Sequence, residues 1–264
     1  MKKRNKWGQN FLIDESLASQ IIDSAHIGKD DLVLEIGPGA GVLTELLLER
    51  AEKVVALEID PDLCSPLTKR FKEYPGFHLI QDDALKYDFG QVGVKFKTVS
   101  NLPYYAATHI LKRLIGYGPR IESMTVMLQK EVVNRLVAQP GNKEYSSLSV
   151  FIQYHCNVKR VLEVPKSAFS PVPKIDSSVV HLTPLAASKV QVSDEKIFFK
   201  IVHASFLHKR KMLKNNLKEW ESFFKTEKDK IHIEGIDLNR RGETLSLDDF
   251  AVIANHVHAV GATQ

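Results

Sequence analysis

The sequence predicts an α/β protein, a mostly parallel sheet covered by helices on both faces, with a small helical domain after it. Three observations carry this. Short β-branched-rich runs alternate with amphipathic helical stretches through the first two-thirds of the chain. A Gly-rich turn follows the first strong run, and after Pro184 the alternation gives way to a linker, AASKVQVSD, and then to helical periodicity. Strands alternating with helices favour parallel pairing, because a crossover helix is the usual route back to the start of the next parallel strand.

In order, LVLEIG (32–37) is a strand running into the glycine turn, and LTELLLER (43–50) is a helix. KVVALEID (53–60), FHLIQDD (77–83), FKTVSNL (96–102) and SMTVMLQ (123–129) are further strands with helices between them. SVFIQYHC (149–156), KRVLEVP (159–165) and SSVVHLTP (177–184) are expected to be late strands that can supply an antiparallel edge. From about Glu195 the chain reads helical, most clearly in IFFKIVHASFLHKRKMLKNNL (197–217) and SLDDFAVIANHV (246–257). The expected division is one domain over 1–184 and a second over 185–264.

The 264 residues, 44% hydrophobic and 26% charged, suffice for one large core and a smaller second domain. No apolar run approaches the ~18 residues of a membrane span. The start, MKKRNKWGQNFL, is basic but lacks the apolar stretch of about 7–15 residues of a secretory signal. A cytoplasmic protein without membrane contact is therefore expected. Cys64 and Cys156 stand alone and are expected to be reduced thiols. His203, His208, His256 and His258 fit no metal spacing, and no metal is expected. The net charge is +4, with pI ≈ 8.9. Lys2, Lys3, Arg4 and Lys6 have no acid among them, and Lys200 to Lys218 holds six Lys/Arg and no Asp or Glu. Such blocks suit a polyanion such as RNA; a solvated basic face is the alternative.

In open α/β sheets ligands bind outside the carboxyl ends of the strands. There the sequence places Gly37-Pro38-Gly39-Ala40-Gly41, then Glu58-Ile59-Asp60, Asp82-Asp83, and Asn101-Leu102-Pro103-Tyr104. A glycine turn followed by an acid at the next strand end marks a nucleoside cofactor, the acid taking the ribose hydroxyls. A dinucleotide would favour G-x-G-x-x-G facing a pyrophosphate, but the position three after Gly39 is Val42. A further carboxylate at Asp83 suits an adenine amine, so the ligand indicated is S-adenosylmethionine. Glu58 would hold its ribose and Asp83 its adenine, although Asp82 or Asp83 can equally cap the turn into ALKY.

Asn-Leu-Pro-Tyr after the fourth strand fits [ND]-x-P-[YF], the motif of methyltransferases acting on the exocyclic amine of a base. That nitrogen is a poor nucleophile because its lone pair is delocalised into the ring. It needs acceptors for its N–H bonds, which the Asn101 side chain and the Leu102 carbonyl provide. Pro103 stiffens the turn, and Tyr104 offers a ring face for the base. The Leu102 side chain is expected to matter less than its carbonyl, and Tyr105 is left to packing.

GQNFL (8–12), EIGPGAG (35–41), EID (58–60), QDDAL (81–85), NLPY (101–104), QKEVVNRLVAQPGNKEYSSLSVFIQY (129–154) and FSPVPKIDSSVVHL (169–182) follow in order. With these blocks the chain resembles the ribosomal RNA adenine N6,N6-dimethyltransferase family almost end to end. LHKRKMLKNNL (207–217) and RRGETLSLDDF (240–250) resemble the KsgA group in particular. The resemblance implies a Rossmann-like class I S-adenosylmethionine-dependent methyltransferase with a helical C-terminal domain that recognises rRNA. It assigns Asn10 and Leu12 to the methionine end of the cofactor, and Gly37, Glu58, Asp83 and Asn101 to the rest of its shell. Phe169 matches the aromatic that stacks on the target adenine opposite Tyr104.

The implied substrate is a pair of adjacent adenosines in a hairpin loop near the 3′ end of 16S rRNA, in the small subunit or its precursor. Lys209, Arg210 and Lys211, on what reads as a basic helix, are expected to bind RNA, and a monomer is expected. Trp7, Val172 and Ser146 depart from the family's usual residues. A large-subunit rRNA adenine methyltransferase conferring macrolide resistance shares the catalytic blocks, and a non-catalytic ribosome-assembly factor is the reading from another class.

Overall fold

Leu32-Val33-Leu34-Glu35-Ile36 is apolar on both faces except for one acid, and it forms a strand with neighbours on both sides. The computed structural model describes residues 9–217 and 232–262. Its strands are β1 Phe11–Leu12, β2 Leu32–Ile36, β3 Lys53–Glu58, β4 Phe77–Gln81, β5 Phe96–Asn101, β6 Ile121–Gln129, β7 Cys156–Val164, β8 Phe169–Ser170 and β9 Ser177–Pro184. Seven form one sheet in the order β4-β3-β2-β5-β6-β9-β7, and β1 pairs antiparallel with β8 in a separate ribbon. Pairing from β4 through β6 is parallel, and β9 runs antiparallel to β6. The chain goes from β2 outward to β3 and β4, then returns to β5 on the other flank of β2. That reversal opens a crevice at the carboxyl ends of β2 and β5.

The helices are α1 Glu15–Ser24, α2 Val42–Leu48, α3 Pro61–Arg70, α4 Ala107–Ile115, α5 Lys130–Val137, α6 Ser147–His155, α7 Glu195–Ser205, α8 Leu213–Asn216 and α9 Leu247–Ala262. Each of α1 and α3 starts on an aspartate that accepts a backbone N–H of the first turn, Asp14 from Leu17 and Asp60 from Asp62. In α4, apolar Ile110, Leu111 and Leu114 are buried on one side of the helix, while His109 and Lys112 face water.

Two compact units result. One comprises Met1–Val133 with Asn157–Ala186, the other Asn134–Cys156 with Ala187–Gln264. The linear division at 184/185 differs from this by the segment 134–156. Its side chains explain why: Tyr145, Val150 and Tyr154 are buried in the second core with Phe198, Ile201 and Phe250. The first unit has its own core, in which Ile21, Ile22, Val33, Leu47, Val54 and Val99 are fully buried.

Two expected elements take another form. SVFIQYHC is not a strand, because Ser147–His155 is helical. Burial of Leu148, Val150, Ile152 and Tyr154 imitates the two-residue period of a strand, since this helix is covered on more than one side. The decisive local signal is a capping box, with the Ser146 N–H donating to Ser149 Oγ at 2.9 Å. Ser146, one of the departures from the family pattern, is thus a helix cap.

The basic stretch is not a helix either. α7 stops at Ser205, and the chain turns until Leu213. Asn216 Nδ2 donates to the carbonyls of Ser205 (2.9 Å) and His208 (3.2 Å), drawing the turn back on itself. Gly242 is also packed so closely there that a Cβ on it would lie 2.4 Å from the Ser205 carbonyl oxygen. Lys209, Arg210 and Lys211 are exposed on that turn. Lys2, Lys3, Arg4, Lys6, Trp7 and Lys218 lie outside the described residues. Among the described residues, no helix is long and apolar enough to cross a membrane.

Candidate active site

At the crevice the strand ends line a cleft with about 1000 Å³ of empty space, open to solvent. Gly37, Glu58, Asp83, Asn101, Leu102 and Tyr104 line it, and so do Asn10 and Leu12 from the segment around β1. Gly39 shows why the turn must be glycine. Its φ is +59°, and a Cβ there would meet the Phe11 ring at 2.9 Å. The backbone therefore approaches the cleft bare, with the Phe11 ring laid beside it.

Glu58 is the last residue of β3 and only 2% exposed. Its Oε1 accepts the N–H groups of Ile59 and Asp60, both at 2.9 Å, and its Oε2 that of Gly39 at 3.3 Å. Burial pushes its carboxyl above the usual range, while the bonds from Asp60, Gly39 and Ile59 pull the other way. A carboxylate has about four lone-pair directions, so the three backbone bonds leave one, on Oε2, for a ribose hydroxyl. Asp83 Oδ1 accepts the Leu85 N–H at 2.8 Å, and Asp82 Oδ1 accepts that of Asp83 at 2.7 Å. Asp83 thus caps the turn with one oxygen, and its Oδ2 has no hydrogen-bond partner among the described residues.

Asn101 ends β5, and its Nδ2 donates to the Asn10 carbonyl at 3.4 Å. That assignment leaves Oδ1 as an acceptor with no hydrogen-bond partner among the described residues. The Leu102 N–H donates to the Met127 carbonyl at 3.2 Å, and the Pro103 carbonyl accepts the Ala106 N–H at 3.0 Å. Between these anchors the Leu102 carbonyl accepts no hydrogen bond from the described residues. The expectation for its side chain is corrected, because Leu102 is 1% exposed and part of the core. Leu102→Ala is expected to destabilise the fold by about 2–5 kcal/mol in denaturant unfolding, with Leu102→Met costing under about 1.5 kcal/mol. Tyr104 is half-buried, with its hydroxyl 2.6 Å from Ser177 Oγ on β9. Burial raises its pKa and the Ser177 bond opposes that, so it stays a neutral phenol.

Phe169 is not among the residues that line the cleft. It is 1% exposed, paired through its backbone with Leu12 and packed with Ala168 and Val179. As placed its ring is buried, and its stacking on the target adenine opposite Tyr104 stands as a proposal. Nearby Val172 is 63% exposed. Lys209, Arg210 and Lys211 belong to the second unit and do not line the cleft.

One lining residue escaped the sequence reading. Glu35, in β2 just before the glycine turn, is 1% exposed, and its Oε2 accepts the Thr44 hydroxyl at 2.7 Å. Burial, opposed by Thr44 and reinforced by the charge of Glu58, pushes it to about 8. Near neutral pH it holds its proton, so Glu58 is not faced by a second buried charge. An acid inside an otherwise apolar run was the available signal. Among the described residues no group of three or more His, Cys, Asp or Glu is placed to hold a metal.

Comparison with known proteins accords with this geometry. The family model described as ribosomal RNA adenine dimethylase matches residues 1–259. The chain belongs to the ribosomal RNA adenine dimethylase family. Among similar members, "Ribosomal RNA small subunit methyltransferase A" of Clostridium botulinum is 44% identical, over 96% of this chain and 93% of its own length. The protein of the same name from Clostridium perfringens is 45% identical over 95% and 89%. A dimethyladenosine transferase from Plasmodium falciparum superposes with a TM-score of 0.79 at 27% identity, covering 95% of this chain and 98% of that one. The 23S rRNA methyltransferase ErmE superposes at 0.73 with 23% identity, covering 94% and 100%, a likeness of fold alone. This adenine dimethylase therefore has the Rossmann-like fold of class I S-adenosylmethionine-dependent methyltransferases, and it is an rRNA-modifying enzyme.

Proposed function

We propose that this dimethylase transfers methyl groups from S-adenosylmethionine to N6 of two adjacent adenosines in a hairpin loop near the 3′ end of 16S rRNA, during small-subunit biogenesis. The observation that carries the reading is the pair of unused acceptors, Asn101 Oδ1 and the Leu102 carbonyl, held at the end of β5 in the cleft. When bound, the cofactor supplies an electrophilic methyl group. The protein's part is to accept the two N–H bonds of the amine, so that the nitrogen pyramidalises and its lone pair leaves conjugation with the ring and points toward that methyl. The Tyr104 ring, fixed through Ser177, grips the base. After one transfer, which leaves the cofactor as the neutral thioether, the cationic nitrogen sheds one proton to water, so the amine keeps one N–H and one acceptor then suffices. Glu58 is assigned to the ribose hydroxyls, Asp83 Oδ2 to the adenine amine, and Asn10, Leu12 and Gly37 to the remainder of the cofactor.

The small-subunit target draws its support from the names of the Clostridium relatives, which match nearly end to end. A loop base is already unpaired, which lowers the cost of extruding it. Mass-spectrometric mapping of methyladenosines after incubation with unmethylated small subunits tests this. Primer extension on both rRNAs of a deletion strain separates the rival, since loss confined to large-subunit rRNA overturns the small-subunit assignment.

The helical second unit is proposed to recognise rRNA in the cytoplasm, with the protein acting as a monomer. Neutralising Lys209, Arg210 and Lys211 together is expected to weaken RNA binding and lower the salt-dependence slope by up to about two units, because phosphate contacts release counterions. A filter-binding series over salt checks it, and an unchanged slope would show the turn to be merely solvated.

A further inference from the structure

We propose that Tyr105 is a cofactor-binding residue whose ring closes over the adenosine of the bound S-adenosylmethionine, leaving Tyr104 alone to serve the target base. This rests on the methyltransferase reading above and divides two neighbouring tyrosines between two ligands. Both line the cleft. Tyr104 is half-buried, and its hydroxyl is committed to Ser177. Tyr105 is 58% exposed and forms no hydrogen bond or ring contact with the described residues. The expectation of simple packing therefore does not describe it. A large apolar ring is held at the mouth of a binding cleft with one side in water.

Its surroundings indicate which ligand it meets. Tyr105 shares the cleft lining with Asp83 and Glu58, the two acids assigned to the nucleoside. Burial, and after it the charges of Asp83 and Glu58, raise its pKa. Neither acid acts on Tyr104, whose pKa responds to burial and to Ser177. The Tyr104 hydroxyl is tied to Ser177 of β9, whereas Tyr105 is untied in the same lining as the two carboxylates. A neutral phenol ring beside those acids can cover a flat base bound between them. Offset stacking of aromatic rings is the arrangement that gains most there.

Calorimetric titration of the full chain tests the assignment, with S-adenosylmethionine and with 5′-methylthioadenosine, which keeps the nucleoside and lacks the amino-acid end. Tyr105→Ala is expected to weaken both ligands by a similar factor, about tenfold. Tyr105→Phe should stay within about threefold of wild type, since the ring and not the hydroxyl does the covering. In Tyr105→Ala the KM for S-adenosylmethionine should rise by more than the KM for unmethylated small subunits. Unaltered cofactor affinity in Tyr105→Ala overturns the proposal, and a raised KM for RNA in its place would assign Tyr105 to the target base. Failure of the wild-type protein to bind S-adenosylmethionine would instead overturn the methyltransferase reading on which the proposal rests.

Discussion

Asn101→Ala is expected to lower single-turnover methyl transfer at least about a hundredfold while cofactor affinity falls only several-fold. The asymmetry follows from what the side chain touches. Its Oδ1 is a free acceptor in the cleft, used when the amine must be turned, so its loss is felt in the transition state. Its Nδ2 makes one long bond, 3.4 Å, to the Asn10 carbonyl, so the segment around β1 loosens only partly when it is gone. The Leu102 carbonyl survives the substitution and accounts for residual activity. Asn101→Asp keeps an acceptor and loses the donor to Asn10, and is expected to fall between. Tritiated-methyl incorporation into unmethylated subunits beside a calorimetric titration separates the two effects. Transfer near the wild-type rate in Asn101→Ala would remove Asn101 from the chemistry.

Glu58→Gln is expected to weaken S-adenosylmethionine binding about ten- to a hundredfold, the scale of one hydrogen bond to a charged group. The amide has a single acceptor oxygen where three backbone N–H groups, those of Gly39, Ile59 and Asp60, converge. Its NH₂ would also face donors. pH supplies a second readout. Burial raises the Glu58 pKa, and the ionised form is the one that accepts a ribose hydroxyl beside its three backbone bonds. Wild-type affinity is therefore full above that raised pKa and is lost as the pH falls through it, beginning at a higher pH than for an ordinary glutamate. Titrations across the acid range should show this loss in the wild type and not in Glu58→Gln; equal slopes would contradict the role.

Glu58 and Asn101 were legible because local rules place them. A β-branched run ends where its apolar pattern ends, and the residue at that end faces the crevice of any open parallel sheet. What the sequence concealed depends on distant partners. Leu102 looks interchangeable in its tetrapeptide, and only the packing around it shows a 1% exposed side chain. Glu35 occupies an ordinary strand position until Thr44 is seen to donate to it. The 147–155 helix hides behind an alternating apolar pattern, with Ser146 as the quiet exception. The turn carrying Lys209 to Lys211 exists because Asn216 and Gly242 crowd the end of α7, contacts that no helical periodicity reports.

The short ribbon of β1 and β8 has a thermodynamic consequence. Phe11, whose ring lies beside Gly39, pairs with Ser170, and Leu12 pairs with Phe169. The Ile13 N–H adds a bond to the Ala168 carbonyl at 2.9 Å. Residues 10–12 line the cleft and are proposed to hold the methionine end of the cofactor, so a ligand that stiffens them stiffens 168–170 through shared backbone bonds. Whatever factor the cofactor imposes on affinity for the RNA loop, the RNA loop must return in equal measure to the cofactor.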